Sequence, residues 1–299
     1  MFHMKHVLSS TATTDFFSKN KEKPSNFFVK DFAVSGEDFE LQYDANLFLY
    51  KTYPQPNPED LNRYYESKNY ISHTDANKNW FEKSYQFIKN IALKNKLNLI
   101  NGLKTDQKKL LDIGAGTGDF LAYMNQNNWQ TIGFEPNQNA RNLAIAKGVL
   151  FANNLSDLAP NSFDVITMWH VLEHVSDIDE QIKTLQKLLK PNGVIVVAVP
   201  NFNSFDARYY GKFWAAFDVP RHLWHFSKTA IKLIFQKHNM VISKIYPMKF
   251  DAFYVSLLSE KYKTGKMNFL KAVYIGLRSN IKAKQDFEYS SLIYTIKNR

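Results

Sequence analysis

Between residues 109 and 199 short apolar runs alternate with stretches in which apolar residues recur every three or four positions. Short apolar runs fit buried strands, and the longer period fits amphipathic helices. The pattern predicts strands near 109–113, 130–134, 148–151, 163–168 and 193–199, and helices near 118–127, 137–147 and 177–190. Such alternation implies a parallel sheet with right-handed crossovers. Upstream, Trp80, Phe81, Phe87, Ile88, Ile91 and Leu97 keep helical spacing, so 79–103 reads as one or two helices leading into the first strand. Downstream, Ser227 suits an N-cap for a helix over 228–238. A sixth strand follows near 240–246, helical spacing runs through 251–284, and a final strand near 290–296 is expected to enter the sheet antiparallel. Residues 27–41 read as two short strands around a glycine turn, and Pro54, Pro56 and Pro58 mark a rigid connector. The expected fold is therefore α/β: a doubly wound, mostly parallel, seven-stranded sheet with a small N-terminal β-containing module and helical insertions. The module covers 1–60 and the main domain 61–299, with a cap at 200–227 and a helical insertion at 251–285.

Chemistry concentrates first in Leu110-Leu111-Asp112-Ile113-Gly114-Ala115-Gly116-Thr117-Gly118-Asp119-Phe120. This is a buried strand, a tight glycine turn and a helix start. Glycine permits positive φ and close ligand approach, and the helix start offers unpaired N–H groups. A turn at the carboxyl end of a parallel strand is where α/β sheets bind nucleotides. The spacing is G-x-G-x-G rather than the dinucleotide G-x-G-x-x-G. Asp112 ahead of the glycines would repel a pyrophosphate, so the ligand should be cationic. S-adenosylmethionine fits, with an ammonium, a sulfonium and no phosphate. An acid closing the second strand would hold both ribose hydroxyls; Glu135, followed by Pro136, stands there.

These residues, in this order, resemble the class I S-adenosylmethionine-dependent methyltransferases, and within them the ubiquinone-biosynthesis-type group (methyltransferase domain 23/11-like), over residues 75–250. The resemblance implies that Asp112, Gly114, Ala115, Gly116, Gly118, Glu135 and Pro136 bind the cofactor. It places Asn154, or Asn153 by a one-residue shift, on the adenine amine with Leu155 on the ring; the local alternative is an Asx turn. It also places Trp169 and His170 beside the cofactor. Residues 61–72 resemble a lid, so that Tyr64, Tyr70 and His73 would face the methionine end or the acceptor, against an alternative of plain aromatic packing. Related bacterial enzymes often carry two C-x-x-C zinc knuckles near the N-terminus. The matching places here, 6–9 and 43–46, hold no cysteine, and zinc is not carried over.

Trp169-His170-Val171-Leu172-Glu173-His174-Val175 follows the fourth strand. His170, Glu173 and His174 are spaced i, i+3, i+4 and would share one face of a helix. Three roles stay open: a histidine base for the acceptor proton, a divalent-metal site, and a brace for the loop over the cofactor. The resemblance adds a recurring acid–His pair whose usual further carboxylate is His170 here, and no metal is assigned. The cap is dense in aromatics, as a small-molecule pocket requires. Phe205, Tyr209, Trp214, Asp218, Arg221 and His225 are its candidates for acceptor contact, with His222 a further catalytic candidate. The alternative is a buried Asp218–Arg221 ion pair with histidines packed around it.

Composition narrows the rest. The chain has 299 residues and no cysteine, which excludes disulfides and cysteine metal sites. No run of 18 apolar residues and no signal peptide are visible, so a cytoplasmic protein is the default expectation. The net charge of +10 arises in residues 228–299, which hold 14 Lys and Arg against 4 Asp and Glu. Such a segment suits a solvated surface, an anionic partner, or, in 251–285, peripheral membrane contact or a dimer face. The leading expectation is methyl transfer to a small-molecule acceptor, at oxygen. An RNA- or tRNA-modifying methyltransferase, and a catalytically silent cofactor-binding scaffold, are the alternatives. Nucleic acid is the less favoured partner, and oligomeric state is not set by the sequence.

Overall fold

The alternating apolar pattern of Phe27 and Val29 against exposed Phe28 and Lys30 makes a half-buried strand, β1 (Phe27–Lys30). It pairs antiparallel with β2 (Asp38–Asp44), which pairs with β3 (Leu49–Tyr53), a strand the sequence pattern had not separated from its connector. The computed structural model describes residues 25–57, 59–65, 78–103 and 105–299 of the chain. One long helix, α1 (Lys78–Asn101), leads into the main domain.

The main sheet then builds as the periodicity requires. Strand β4 (Lys109–Ile113), helix α2 (Asp119–Gln126), strand β5 (Gln130–Phe134), helix α3 (Gln138–Ile145), strand β6 (Phe163–Trp169), helix α4 (Ile178–Leu188) and strand β7 (Leu189–Pro200) follow in turn. After β7 come a short helix α5 (Phe205–Tyr210), a two-residue strand β8 (Trp224–His225) and helix α6 (Lys228–Lys237), capped by the Ser227 hydroxyl oxygen, which accepts the Ala230 N–H at 3.0 Å. Strand β9 (Met240–Pro247), a hairpin of helices α7 (Asp251–Thr264) and α8 (Phe269–Asp286), and strand β10 (Ser291–Asn298) complete the chain. The sheet order is β5-β4-β6-β7-β10-β9, with β4 to β7 parallel and β10 antiparallel to both neighbours.

Six strands form continuous ladders. The seventh expected strand, at 148–151, is reduced to a single parallel bridge between Phe151 and Gly133. The reason is local: the Ala152 N–H still donates to the Gly133 carbonyl at 2.9 Å, but the next ladder donor, the Asn154 N–H, turns to the Asp157 carboxylate at 3.1 Å. Alternate residues of each strand face opposite sides. Leu111, Ile166, Ile195 and Val197 pack toward α4 and α6, while Leu110, Val165, Val194 and Val196 pack toward α1 and α2.

The cap does not stand alone. Strand β8 extends the N-terminal sheet to the order β1-β2-β3-β8, pairing Tyr50 with His225 and Lys51 with Trp224. A separate aromatic core joins Phe27, Phe39 and Tyr50 of the module to Phe202, Tyr210, Trp214 and Phe217 of the cap. Among the described residues no helix is long and apolar enough to cross a membrane.

Candidate active site

The glycine turn after β4 divides its labour among three glycines with positive φ. A Cβ at Gly114 would meet Val171 at 2.4 Å, and one at Gly118 would meet Ala144 at 2.5 Å. Those two are packing glycines. Gly116 has nothing within 4 Å of its Cβ position, so it is the one whose open face a ligand can approach. Parallel pairing of β4 with β5 puts Glu135 at this turn. Its carboxylate accepts the Gly116 N–H and the Asn137 N–H, each at 2.8 Å. Asp119, at the N-terminus of α2, is occupied by Lys89 at 2.7 Å and Lys147 at 2.8 Å. A pyrophosphate would meet two carboxylates here. A ribose and a cationic tail would not be repelled, and each oxygen of Glu135 keeps a lone pair for a hydroxyl.

Asp112 is only 2% exposed and accepts the Thr167 hydroxyl proton at 2.5 Å. Burial pushes its carboxyl up to about 7, with Thr167 and Lys96 pulling the other way. It therefore lies behind the turn and acts through its field rather than as an open surface. Lys96 of α1, which the sequence reading missed, lies over the Trp169 ring at 4.1 Å and the Phe120 ring at 5.5 Å. Burial lowers its ammonium pKa, while Asp112 and Asp251 favour the charged form. The signal was present: Lys96 interrupts the apolar face formed by Leu93, Leu97 and Ile100. Among the described residues, the buried Nε1 of Trp169 has no hydrogen-bond partner.

The loop after β6 is not the helix its spacing suggested. His170 has φ of 56° and donates its backbone N–H to Ala198 at 2.9 Å; only Leu172–His174 form a 3-10 turn. Even so, His170 Nδ1 lies 3.3 Å from Glu173 Oε1, and its Nε2 lies 3.1 Å from Asp251 Oδ2. Burial opposes the charge, but the two carboxylates push the imidazole up to about 10. His170 is thus an imidazolium at neutral pH, which corrects its candidacy as a proton acceptor. Glu173 is fully buried; burial alone would raise its pKa, but His170 holds it below the usual carboxylate range. Its Oε2 has no hydrogen-bond partner among the described residues.

That orphaned oxygen has two histidines for neighbours. Glu173, His174 and His222 each bring one ligating atom within 4.8 Å of the others. His174 Nδ1 lies 2.9 Å from the Arg221 carbonyl, and His222 Nδ1 lies 2.9 Å from the Ala216 carbonyl. A carbonyl only accepts, so both Nδ1 atoms carry hydrogen, and Nε2 is the atom left on each ring to take a proton or a ligand. Burial, then His174, push His222 down to about 4, so it is neutral at physiological pH. The arrangement suits proton acceptance at Nε2. It also suits a divalent cation, since a buried anionic oxygen and two rings oriented through Nδ1 are what such an ion requires.

Three expected acceptor contacts are taken up by the protein itself. Trp214 is 2% exposed and donates its Nε1–H to Asp206 at 2.8 Å. Arg221, 1% exposed, holds Asp218 at 2.7 Å, Asp31 at 2.9 Å and the Tyr64 carbonyl at 2.8 Å. His225 Nε2 lies 2.9 Å from the Thr52 hydroxyl. Burial against these partners, rather than against a cavity, explains the difference. Asp218 belongs to the same ion cluster. Phe205 and Tyr209 stack at 6.2 Å and lie under Arg278 and Lys271 respectively. Asn154 and Leu155 lie at the turn after Phe151, with Asn154 exposed and engaged with Asp157. Tyr64 packs against Phe39 at 5.9 Å. Tyr70, His73 and the 6–9 stretch lie outside the described residues. Asp31, Thr52 and Asp251 were not singled out from the sequence, because their partners are far away in the chain.

Residues 85–244 match a family model described as a methyltransferase domain. The ubiquinone biosynthesis O-methyltransferase of Bradyrhizobium diazoefficiens is 32% identical over 143 residues, covering 43% of this chain and 54% of that protein. The enzyme of the same name from Pelagibacter ubique is 31% identical over 167 residues, covering 48% and 65%. The match thus spans little more than half the length of the first of these relatives. A SAM-dependent methyltransferase from Thermotoga maritima shares the fold, with a TM-score of 0.50 at 19% identity over 73% of this chain and 97% of that one.

Proposed function

The chain belongs to the methyltransferase-domain family, and from that premise we propose that it transfers the methyl group of S-adenosylmethionine to a small-molecule acceptor, at oxygen. The observation that carries the reading is the Glu135 carboxylate bonded to the N–H of Gly116, the glycine of this turn whose face is open. Glu135 holds the ribose hydroxyls with its remaining lone pairs. The buried charge of Asp112 and the rings of Trp169 and Phe120 suit the cationic end of the cofactor. The O-methyltransferase relatives named above support oxygen as the acceptor atom.

The sulfonium is already activated, so the protein contributes mainly position. The acceptor oxygen attacks the methyl carbon in line, the carbon–sulfur bond breaks, and the sulfur leaves as a neutral thioether. The acceptor's proton passes to Nε2 of His174, with His222 beside it and anionic Glu173 stabilising the imidazolium. His170 and Asp251 fix Glu173 from behind. A divalent cation would be held by Glu173, His174 and His222 and would lower the pKa of an acceptor hydroxyl.

Calorimetric titration with S-adenosylmethionine and S-adenosylhomocysteine, with NAD as control, tests the reading. Binding of the first two and not the third is expected. Binding of NAD alone, or of none, would overturn it. Methyl incorporation into a panel of phenols and other hydroxylated compounds then tests the acceptor class.

A further inference from the structure

Helix α8 is apolar on two opposite faces. Ala272, Ile275, Gly276, Ser279 and Ala283 are buried, and a Cβ on Gly276 would meet Phe253 at 2.7 Å, so α7 and α8 approach closely along this side. On the other side Leu270 (87% exposed), Val273 (48%), Tyr274 (58%), Leu277 (49%) and Ile281 (60%) form a continuous stripe. At about 100° and 1.5 Å per residue the stripe fills an arc of about 100° and runs about 16 Å along the axis. Phe269 and Met267, 54% and 45% exposed, prolong it at the tip of the hairpin. Contiguous exposed apolar surface of this kind marks an interaction site.

The border of the stripe says what covers it. Lys282 lines one edge by the same helical spacing, next to Arg278 and Lys271, which cover Phe205 and Tyr209 with Lys271 also paired to Glu260 at 3.2 Å; Lys284 closes the far end, and Lys266 precedes it. Residues 269–285 contain no Asp or Glu. We infer that the outer face of α8 docks on the surface of an anionic lipid bilayer. A second copy of the chain would bring the same cations, and the single carboxylate of this helix, Asp286 at its last position, already accepts the Glu288 N–H at 2.9 Å. A nucleic acid would answer the charge but leave five aliphatic and aromatic side chains without an apolar phase. Acidic headgroups answer both: the stripe enters the acyl boundary while the long cationic side chains reach the phosphates. Docking is at the surface, since neither helix of the hairpin can span the bilayer. Asp251, the first residue of α7, bonds His170 in the site, so the docked hairpin is continuous with the catalytic region. The inference stands apart from the methyl-transfer reading.

The test is co-sedimentation of the full chain with phosphatidylcholine vesicles, with and without about 30% phosphatidylglycerol. The protein should pellet with the anionic vesicles, stay in solution with the neutral ones, and be released at high salt. Leu270→Glu with Leu277→Glu should abolish pelleting. Lys266→Gln, Lys282→Gln and Lys284→Gln together should cut the partition at least about tenfold. All five positions are exposed, so each variant should keep the wild-type melting temperature and S-adenosylmethionine titration. That titration separates failure of this inference from failure of the functional reading. Equal binding to neutral vesicles, no binding to either, or full binding by the Leu270→Glu, Leu277→Glu variant would overturn the proposal. So would a dimer in solution that the same variant converts to monomer.

Discussion

Replacing Arg221 by Met removes one buried cation and leaves two carboxylates behind. Its guanidinium reaches Asp218, Asp31 and the Tyr64 carbonyl from a position 1% exposed. Removing one partner of a buried ion pair costs about 3–5 kcal/mol. Two features put this case at the low end. Asp31 keeps the Ala33, Val34 and Ser35 N–H groups and the Ser35 hydroxyl as donors. Asp218, with its side chain 22% exposed, can take up water. A loss of about 3 kcal/mol is therefore expected, a large share of the ~5–15 kcal/mol a domain has. It corresponds to a fall of about 6–12 °C in Tm for a domain of this size. Arg221→Lys should cost less but not nothing, because one ammonium cannot span three acceptors in different directions.

The assay is urea unfolding at neutral pH, with cofactor titration on the same variant. Cofactor affinity should change little while stability falls, because Arg221 clamps the cap to the N-terminal module. The pH dependence has a sign. Burial would raise the Asp31 pKa, but Arg221 and Ser35 hold it below the usual 3.8. The tie is thus fully present above 3.8 and is lost as pH falls through the lower folded value, so wild type and Arg221→Met should converge in acid. Wild-type stability within about 0.5 kcal/mol for Arg221→Met, together with lost turnover, would refute the clamp and return Arg221 to the acceptor.

Glu135→Ala should weaken S-adenosylmethionine binding by about 1.5–3 kcal/mol, the range for hydrogen bonds to a charged group; calorimetry showing unchanged affinity would remove Glu135 from the ribose. Asp112 sits at about 7 in the free protein, and a bound cation favours its ionised form, so binding should release a proton near neutral pH and tighten as pH rises through 7. Calorimetry in buffers of different ionisation enthalpy reads that proton, and Asp112→Asn should abolish the effect. His174→Ala should lower kcat far more than cofactor affinity, whereas a fall in Tm with kcat intact would make it a brace. Stability owed to the charged His170 is complete below 6.5 and is lost as pH rises through about 10, so Asp251→Asn should flatten the alkaline limb of a stability–pH curve.

The main sheet was legible because its strands are apolar throughout and its turns carry their own chemistry. Gly114 to Gly118 and Glu135 needed only local order and register to be found. The 170–174 segment was legible in membership and not in shape: its residues do converge, yet through a left-handed His170 rather than a helix. Trp214, Arg221 and His225 were misplaced for a different reason. Aromatic and charged residues in a cap read alike whether they line a cavity or fill a core, and only the distant partners Asp206, Asp31 and Thr52 decide between the two. Lys96 and Asp251 were missed because each acts across the fold, on Trp169 and His170, more than 70 positions away in the chain.

Those distant partners also give the cysteine-free N-terminal module a purpose. The side chain of Arg221 is fixed by Asp31 of the module, while its carbonyl fixes the tautomer of His174. The Thr52 hydroxyl donates to the His222 carbonyl at 2.6 Å, and the Leu223 N–H donates to the Glu173 carbonyl at 2.8 Å. Three successive residues thus tie the module on one side to the acid–histidine cluster on the other. The base we propose for the acceptor proton, His174, would need its ring orientation set by something stiffer than a surface loop. The strand pairing of β3 with β8 and the buried Arg221 cluster supply that stiffness. Disturbing the module, far from the cofactor in sequence, should therefore reach kcat through His174 before it reaches cofactor affinity through Glu135.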